Sequence, residues 1–262
     1  MKYKFLQVSI LIVILSCWEL LSHYAHSIQP FISSPSRIVY LFIEKTISGD
    51  MLYHMLTTGY EALLGLIFGL IVGCLLGFTF VYNRFISRIT YPYISSLSSI
   101  PTFAVAPLMI IWFGTGIGMK IVLAFLSTVF TTAFQVYEGA GKVSITEKTY
   151  FEVNGASKKQ IFWLLSFPAS VDWIIQSLKL NASFCILGAF IGEFIASEAG
   201  LGYIILKASG LYDTTYVFVA IICIILLSQL FNLFSYFVNR NKLKIIRFIT
   251  NKVLNKIESY GK

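Results

Sequence analysis

Long apolar runs recur along this 262-residue chain and constrain its fold more than any other feature. A membrane-spanning helix needs about 20 mostly apolar residues, and several runs approach or exceed that length. Only 12% of the residues are charged, against about 25% in soluble domains. We therefore expect an all-α membrane protein that forms a single transmembrane domain over residues 1–262. About six transmembrane helices are predicted, near residues 5–21, 58–82, 103–113, 120–137, 178–195 and 215–238.

The N-terminal region allows two interpretations. Lys2 and Lys4 precede an apolar run that reaches Cys17, a pattern shared by cleaved signal peptides and by first spans. We favour an uncleaved first span, because apolar spans continue to residue 238. Residues 22–57 are more polar, and the helical spacing of apolar residues from Pro35 to Ile47 predicts a short helix on the membrane surface.

Four glycines lie at intervals of four residues in the second span. This spacing puts them on one face of a helix, where the missing Cβ atoms allow another backbone to approach closely. Glycine is common in membrane helices, but three consecutive steps of this kind favour packing over chance. The predicted helix-packing residues are Gly65, Gly69, Gly73 and Gly77.

Basic residues lie mainly outside the apolar runs, which decides between two explanations of the net charge of +8. A basic surface can bind nucleic acid, whereas the positive-inside rule places Lys and Arg in cytoplasmic loops. With both termini in the cytoplasm, 15 basic residues fall inside and four outside, and Lys179 lies at a span edge. We expect cytoplasmic termini, a cytoplasmic segment over residues 138–168, and no nucleic-acid partner.

Hydroxyl groups and prolines interrupt the apolar pattern at the third span. Polar groups at membrane depth need internal partners, so a bundle interior or a water-lined path is expected, with a loop between helices as the alternative. Near the end of the fifth span, an acidic residue either belongs to the pathway and helix packing or bonds a neighbouring helix end. The predicted pathway residues are Ser98, Ser99, Pro101, Pro107 and Glu193.

The sequence lacks the motifs of an enzyme. The stretch from Gly139 to Lys142 is similar to part of a phosphate-binding loop, but the first glycine of that motif is missing and Val143 replaces its Ser or Thr. His23 and His26 alone make a weak metal site, and the four cysteines stand singly in apolar stretches. We expect no catalytic residue, no metal site and no cofactor bound by this chain.

The cytoplasmic segment resembles the coupling motif of bacterial ABC importer permeases of the binding-protein-dependent type. That motif runs Glu-Ala-Ala, three residues, Gly, nine residues and Ile-x-Leu-Pro. Gly155 and the stretch Leu165-Ser166-Phe167-Pro168 keep this spacing, whereas Thr149-Tyr150-Phe151 replaces Glu-Ala-Ala. The coupling residues that the resemblance implies are Glu152, Gly155, Ala156, Ser157, Lys158 and Pro168.

Further segments are similar to the sulfonate, taurine and nitrate branch of these permeases: Ser98–Pro101, Ala106–Leu108, Ile111–Gly114, and Gly192-Glu193 followed by Gly200-Leu201-Gly202. The resemblance implies a type I ABC importer (MetI-like) fold in the bacterial inner membrane. It also implies four kinds of partner: a second permease copy as a homodimer, two ATPase subunits that bind ATP and Mg²⁺, an extracytoplasmic solute-binding protein, and the membrane itself.

The residues support a coupling role independently of the resemblance. A glycine, a short amphipathic helix and a terminating proline would form a compact knob. We expect Ile161, Phe162 and Leu165 to face the membrane-side scaffold, and Lys158 and Lys159 to face a partner or lipid head groups. A solvated loop is the alternative for this segment. For the whole chain, the alternative is an ion-gradient-driven secondary transporter, which often has internal repeats and would not need the cytoplasmic motif. The cargo stays open among small anions, pyrimidine precursors and other small solutes.

Overall fold

The computed structural model describes residues 2–24 and 32–242, and these residues form helices without any β-strand. The rest of the basic tail, after residue 242, lies outside the described residues. A π-helical turn (Phe162–Ser166) joins the eighth helix to the ninth. The helices are α1 (Lys2–Tyr24), α2 (Pro35–Ile47), α3 (Asp50–Tyr82), α4 (Arg84–Ser98), α5 (Thr102–Phe113), α6 (Ile117–Gly141), α7 (Ile145–Val153), α8 (Lys158–Ile161), α9 (Phe167–Ile195), α10 (Leu201–Gly210) and α11 (Thr214–Arg240).

Five of the described helical stretches are long and apolar enough to cross a membrane. These are Phe5–Tyr24, Asp50–Tyr82, Ile117–Gly141, Lys158–Ile195 and Thr214–Arg240. The pair α4 and α5 passes the same test together but bends by 95° at the break between its two helices. The all-α class is confirmed, and so is the count of about six spans when the bent pair is counted as one broken span.

The second span begins earlier than the sequence suggested. It was expected from Thr58, but α3 starts at Asp50, whose carboxylate accepts a 2.8 Å hydrogen bond from the Tyr216 hydroxyl and lies 3.5 Å from Lys45 Nζ. An acidic residue is favourable in the first turn of a helix. Glu61 therefore lies about three turns inside α3 and is 1% exposed.

Pro168 does not terminate a helix, contrary to the prediction. Lys158–Ile195 is one continuous helical stretch, and the fifth span therefore begins well before residue 178. A proline lacks an N–H group and its ring crowds the carbonyl four residues earlier. The π-helical turn rearranges the bonding just ahead of it, since the Phe167 N–H donates to the Phe162 carbonyl, five residues back.

The described contacts divide the chain into two compact units. The first comprises Met1–Tyr60 and Gly192–Leu227, and the second comprises Glu61–Ile191 and Ser228–Lys262. Three helices, α3, α9 and α11, contribute residues to both. That the two act as a single permease domain over residues 1–262 stays a prediction.

In the first unit, α2 is fastened to α1 at its N-terminus. The Glu19 carboxylate accepts hydrogen bonds from the backbone N–H of Ser36 (3.0 Å) and from its hydroxyl (2.6 Å). Ser34 caps α2 by accepting the Arg37 N–H. The bounds of α2 are those that the sequence predicted, whereas its location on the membrane surface stays a prediction.

In the second unit, the four spaced glycines of α3 face α6. Each glycine lies against one residue of α6, and these four facing residues are also spaced four apart in sequence. A Cβ added at Gly73 would lie 2.5 Å from the Thr132 Cβ, and one at Gly77 would lie 2.6 Å from the Val136 Cβ. The two backbones therefore approach too closely for any side chain on this face of α3. The facing row is Ala124, Thr128, Thr132 and Val136.

Candidate functional site

The predicted coupling segment begins with a fully formed helix cap. Ser144 precedes α7, and its hydroxyl accepts the Glu147 N–H at 3.1 Å. In return, the Glu147 carboxylate accepts the Ser144 N–H at 2.9 Å. This reciprocal pair is a capping box, which satisfies two N–H groups that a helix start otherwise leaves unbonded. The entry into α7 is therefore fixed by the local sequence.

Gly155 ends α7 in a left-handed conformation, with φ of +78°. The Ala156 N–H donates to the Phe151 carbonyl at 2.9 Å, and the Gly155 N–H donates to the Glu152 carbonyl at 3.0 Å. This pattern is a Schellman motif, in which glycine is preferred because it lacks a Cβ. A Cβ at Gly155 would meet no atom of the described residues within 4 Å, so the backbone angle, rather than space, requires glycine.

A second capping box follows directly and starts α8. The Ser157 hydroxyl accepts the Gln160 N–H at 3.3 Å, and the Gln160 side-chain oxygen accepts the Ser157 N–H at 2.8 Å. Lys158 is the first residue of α8. The two boxes flank the Gly155 turn, and α8 continues through the π-helical turn into α9. The glycine turn and the short helix expected from the sequence are therefore present. That helix continues into α9, however, where the sequence predicted a helix end at Pro168.

The inner side of this knob packs against the end of α3. The Phe162 ring lies edge-on to Phe78 at 5.4 Å and to Tyr82 at 6.1 Å between centroids. The orientation expected for Phe162, towards the scaffold, is present. Pro168 lies inside α9, beyond the π-helical turn. The turn therefore separates it from the other five predicted coupling residues.

A cleft of about 770 Å³ opens between the α3–α4 junction and the α7–α8 knob. Two of the predicted coupling residues, Glu152 and Lys158, line it, together with the basic residues Arg84 and Lys148. Three apolar side chains of α7 are largely exposed among its polar ones: Ile145, Tyr150 and Val153 are 83%, 67% and 81% accessible. Every residue of α7 is at least partly exposed, so α7 projects from the unit to which it belongs.

The predicted pathway residues of the second unit gather at the break between α4 and α5. Ser98 ends α4, Ser99 caps it, and Pro101 precedes α5. Both serine hydroxyls donate to carbonyls of α4, Ser98 to Ser95 at 2.8 Å and Ser99 to Ser96 at 2.7 Å. Pro107 lies inside α5 and is exposed. Of this group, Ser98 lines a hollow of about 500 Å³ beside α6.

Glu193, the remaining predicted pathway residue, belongs to the first unit and is completely buried. Its carboxylate accepts hydrogen bonds from the Thr58 hydroxyl at 2.6 Å and from the Gly202 N–H at 2.7 Å. This is the geometry of a carboxylate bonded to a neighbouring helix end, one of the two alternatives that the sequence left open. A pathway role for Glu193 stays a prediction.

Two further polar clusters escaped the sequence analysis. In the first unit, His54 Nδ1 accepts the Gly200 N–H at 2.9 Å and Thr58 accepts the Leu201 N–H at 2.9 Å. In the second unit, the Asn181 amide donates to the Thr132 hydroxyl at 2.8 Å, and the Ser177 hydroxyl donates to the same oxygen at 2.9 Å. A lone Asn181 within an apolar span was the signal that could have indicated the second cluster.

Metal-binding clusters and disulfide bonds are absent from the described residues. Residues 2–24 and 32–242 contain no group of three or more His, Cys, Asp or Glu side chains that could hold a metal ion. Cys17, Cys74, Cys185 and Cys223 are all free thiols in the described part of the chain.

Comparisons with known proteins agree with this architecture. Residues 65–244 match the family model described as the binding-protein-dependent transport system inner membrane component. The solved structure of the MetNI methionine ABC transporter in its inward-facing form superposes with a TM-score of 0.61 at 16% identity, and covers 78% of this chain and 98% of its own. That likeness shows the type I importer fold.

Several curated relatives are similar along most of their length. The formylaminopyrimidine transport permease protein ThiX of Halalkalibacterium halodurans is 28% identical over 204 residues, which cover 77% of this chain and 81% of that one. The riboflavin transport system permease protein RibX of Chloroflexus aurantiacus is 30% identical, with 83% and 81% covered. The putative aliphatic sulfonates transport permease protein SsuC of Bacillus subtilis is 27% identical, with 88% and 84% covered.

The family match extends from the glycine row of α3 to the end of α11, and includes both the capped knob and the broken third span. It is consistent with the fold and with the motifs read from the sequence. This chain belongs to the binding-protein-dependent transport system inner membrane components, the permeases of ABC importers, in the branch that includes the aliphatic sulfonate permeases.

Proposed function

We propose that two copies of this chain form the solute pathway of an importer in a bacterial inner membrane, and that separate ATPase subunits drive it through the knob formed by α7 and α8. ATP and Mg²⁺ bind to those subunits, and an extracytoplasmic binding protein delivers a small solute. The observation that carries this proposal is the doubly capped knob, which presents apolar side chains outwards and continues without a helical break into α9.

The exposed face of α7 supports docking of a partner. Ile145 and Val153 are more than four-fifths exposed, although α7 is not one of the helices suited to span a membrane. Apolar groups clustered on a surface outside the membrane usually mark an interaction site. The adjacent cleft adds charged groups from Glu152, Lys148 and Lys158, which could select the partner's orientation.

The connections of the knob support transmission of movement. Two capping boxes and the Schellman turn restrict the backbone from Ser144 to Gln160, and each cap contributes about 0.5–2 kcal/mol to helix stability. The stretch Lys158–Ile195 is helical throughout. A displacement of α8 would therefore move α9 as a lever, which is the rigid-body form of switching.

The distribution of charge supports the orientation. The segments that carry most Lys and Arg residues include the knob and the α3–α4 junction, and the positive-inside rule places such segments in the cytoplasm. Both chain termini are then cytoplasmic. The family membership disfavours the secondary transporter, because an importer of this family has no need of an ion gradient.

A pair of surface substitutions tests docking at α7. Val153→Asp places a charge on the apolar face of the knob, and we expect it to prevent co-purification of the ATPase subunits and to abolish solute-stimulated ATP hydrolysis. Ile47→Asp is the matched control, since Ile47 is equally exposed, at 81%, on the non-spanning helix α2. Both changes leave the buried residues untouched.

The two variants should differ sharply in pull-down and ATPase assays made with the co-expressed subunits. Normal recovery of the ATPase with the Val153→Asp permease would contradict docking at α7. Equal loss in the Ile47→Asp permease would show a general effect of the added charge and would also count against a specific role of the knob.

A further inference from the structure

The hollow beside the broken third span has the dimensions of a small-molecule pocket. It measures about 500 Å³ and lies between the α4–α5 break and α6, within the second unit. Pockets that bury small ligands typically measure about 300–1,000 Å³, with mostly apolar walls and a few polar groups. Nothing in the coupling mechanism uses this space, and Ser98 is the predicted pathway residue that lines it.

The lining of the hollow offers no charged group to an ionic solute. Among the described residues that line the hollow, none is charged. An anion in this hollow would gain no counter-charge from the lining, whereas it is well hydrated in water. An uncharged solute avoids this loss of hydration. The hollow therefore favours neutral cargo over sulfonate or nitrate ions.

The apolar part of the wall favours a flat solute. Three aromatic side chains contribute to it, Trp112 from α5 and Phe130 and Phe134 from α6. Trp112 is 63% exposed, so its ring is open to a ligand. Stacked or edge-to-face aromatic pairs add about 0.5–1.5 kcal/mol beyond the burial of their area, and a planar ring is the shape that gains most from such a wall.

The polar part of the wall consists of hydroxyl groups that are available as acceptors. The Ser98 hydroxyl donates its proton to the Ser95 carbonyl, and the Ser127 hydroxyl donates to the Leu123 carbonyl at 2.9 Å. Each oxygen then keeps lone pairs, which can accept a hydrogen bond from a solute. Thr102 and Thr131 add two more hydroxyls to the lining. Amino or ring N–H groups are the complementary donors.

We propose that this hollow holds an uncharged, planar, nitrogen-containing heterocycle on its way through the permease. Passage of that solute rests on the proposed function, whereas its binding does not require the ATPase. The two can therefore fail separately. The proposal also narrows the cargo class that the family membership leaves open.

Fluorescence of Trp112 provides the test, with the full-length permease alone in lipid nanodiscs. Formylaminopyrimidine, cytosine and adenine serve as neutral probes, and butanesulfonate serves as the charged one. We expect saturable quenching by at least one neutral probe and none by butanesulfonate at the same concentrations. The quenching should disappear in Trp112→Phe, which identifies its origin among the four tryptophans.

Removal of one hydroxyl measures how much a single hydrogen bond contributes to heterocycle affinity. Thr131→Val keeps the side-chain shape, and we expect it to weaken heterocycle binding roughly three- to tenfold, the effect of one hydrogen bond. Thr79→Val is the matched control, because Thr79 is an exposed residue of α3 whose hydroxyl donates to the Leu75 carbonyl. This control should leave the affinity unchanged.

Several outcomes would overturn the proposal. Tighter binding of butanesulfonate, no saturable quenching by any neutral probe, or an equal loss in Thr79→Val and Thr131→Val would each do so. Quenching of Trp112 by a lipid with a brominated tail that no heterocycle displaces would show a lipid groove instead. Intact heterocycle binding without ATP-driven uptake would contradict the proposed function and leave the hollow's ligand class standing.

Discussion

The Glu193 carboxylate, contributed by α9, accepts a 2.7 Å hydrogen bond from the Gly202 N–H in the first turn of α10. The two N–H groups before it donate to side chains of α3, Leu201 to Thr58 and Gly200 to His54. Helix starts leave such groups unbonded, and a negative charge is favourable there. Three side chains therefore fasten the buried start of α10 within the first unit.

Replacement of the carboxylate should weaken this fastening. Thr58 donates to one carboxylate oxygen of Glu193 and Gly202 donates to the other. Glu193→Gln keeps the size of the side chain but has only one acceptor oxygen. One of these two buried donors would then face the side-chain N–H of the glutamine and lose its hydrogen bond, which costs about 1–3 kcal/mol of folding free energy. We expect a lower melting temperature for the purified permease. Glu198→Gln, at an exposed position between α9 and α10, should leave it unchanged.

Gly200 should resist substitution for two reasons at once. Its φ is +105°, and a Cβ there would collide with the Glu193 carboxylate. Backbone strain and overpacking each cost about 1–3 kcal/mol. Gly200→Ala should therefore lower the melting temperature and the yield of folded protein. Gly210→Ala, at the other end of α10 with no described atom within 4 Å of its Cβ, should have no such effect, and equal losses would contradict this account.

The glycine row of α3 leads to a separate prediction. Gly73→Ala would place a Cβ 2.6 Å from the Val129 carbonyl oxygen of α6, so α3 and α6 must move apart. We expect a destabilisation of about 1–3 kcal/mol, measured by the detergent or thermal unfolding of the purified chain. Gly118→Ala in the first turn of α6 has open space around its Cβ and is the matched control. A neutral effect of Gly73→Ala would show that the two helices can separate freely.

The turn at Gly155 should tolerate side chains according to their backbone preference and not their size. Asparagine visits the left-handed region readily, whereas β-branched residues are strongly disfavoured there. We expect Gly155→Asn to keep most of the ATP-driven uptake and Gly155→Val to reduce the solute transported per ATP hydrolysed. Uptake and hydrolysis measured on the same proteoliposomes give this ratio. Equal ratios in the two variants would show that the left-handed turn is not needed for coupling.

Features carried by local spacing were predictable from the sequence. The four-residue period of the glycines indicated one packed helix face, and the distance from Gly155 to Pro168 indicated the coupling segment. The first pattern arises from helix geometry, in which positions four apart share a face, whereas the second rests on the resemblance to the permease motif. The serines and Pro101 indicated an interruption of the third span, but no sequence pattern indicated its 95° bend.

Features that depend on distant partners were not predictable. Asp50 and His54 lie in a stretch that the sequence indicated only as polar, because their hydrogen-bond donors come from far along the chain. Tyr216, which donates to Asp50, is 166 residues away, and Gly200, which donates to His54, is 146 residues away. The helix α10 was missed for the same reason. Pro168 misled the helix assignment because a local rule about proline does not anticipate a π-helical turn that relieves its ring.

Reconstituted uptake tests the central claim most directly. Proteoliposomes that contain this permease and its ATPase subunits, supplied with the binding protein and labelled solute, should accumulate solute only when ATP is present on the side of the knob. Accumulation should persist when ionophores collapse all ion gradients. Uptake that follows an ion gradient and proceeds without ATP would contradict the account.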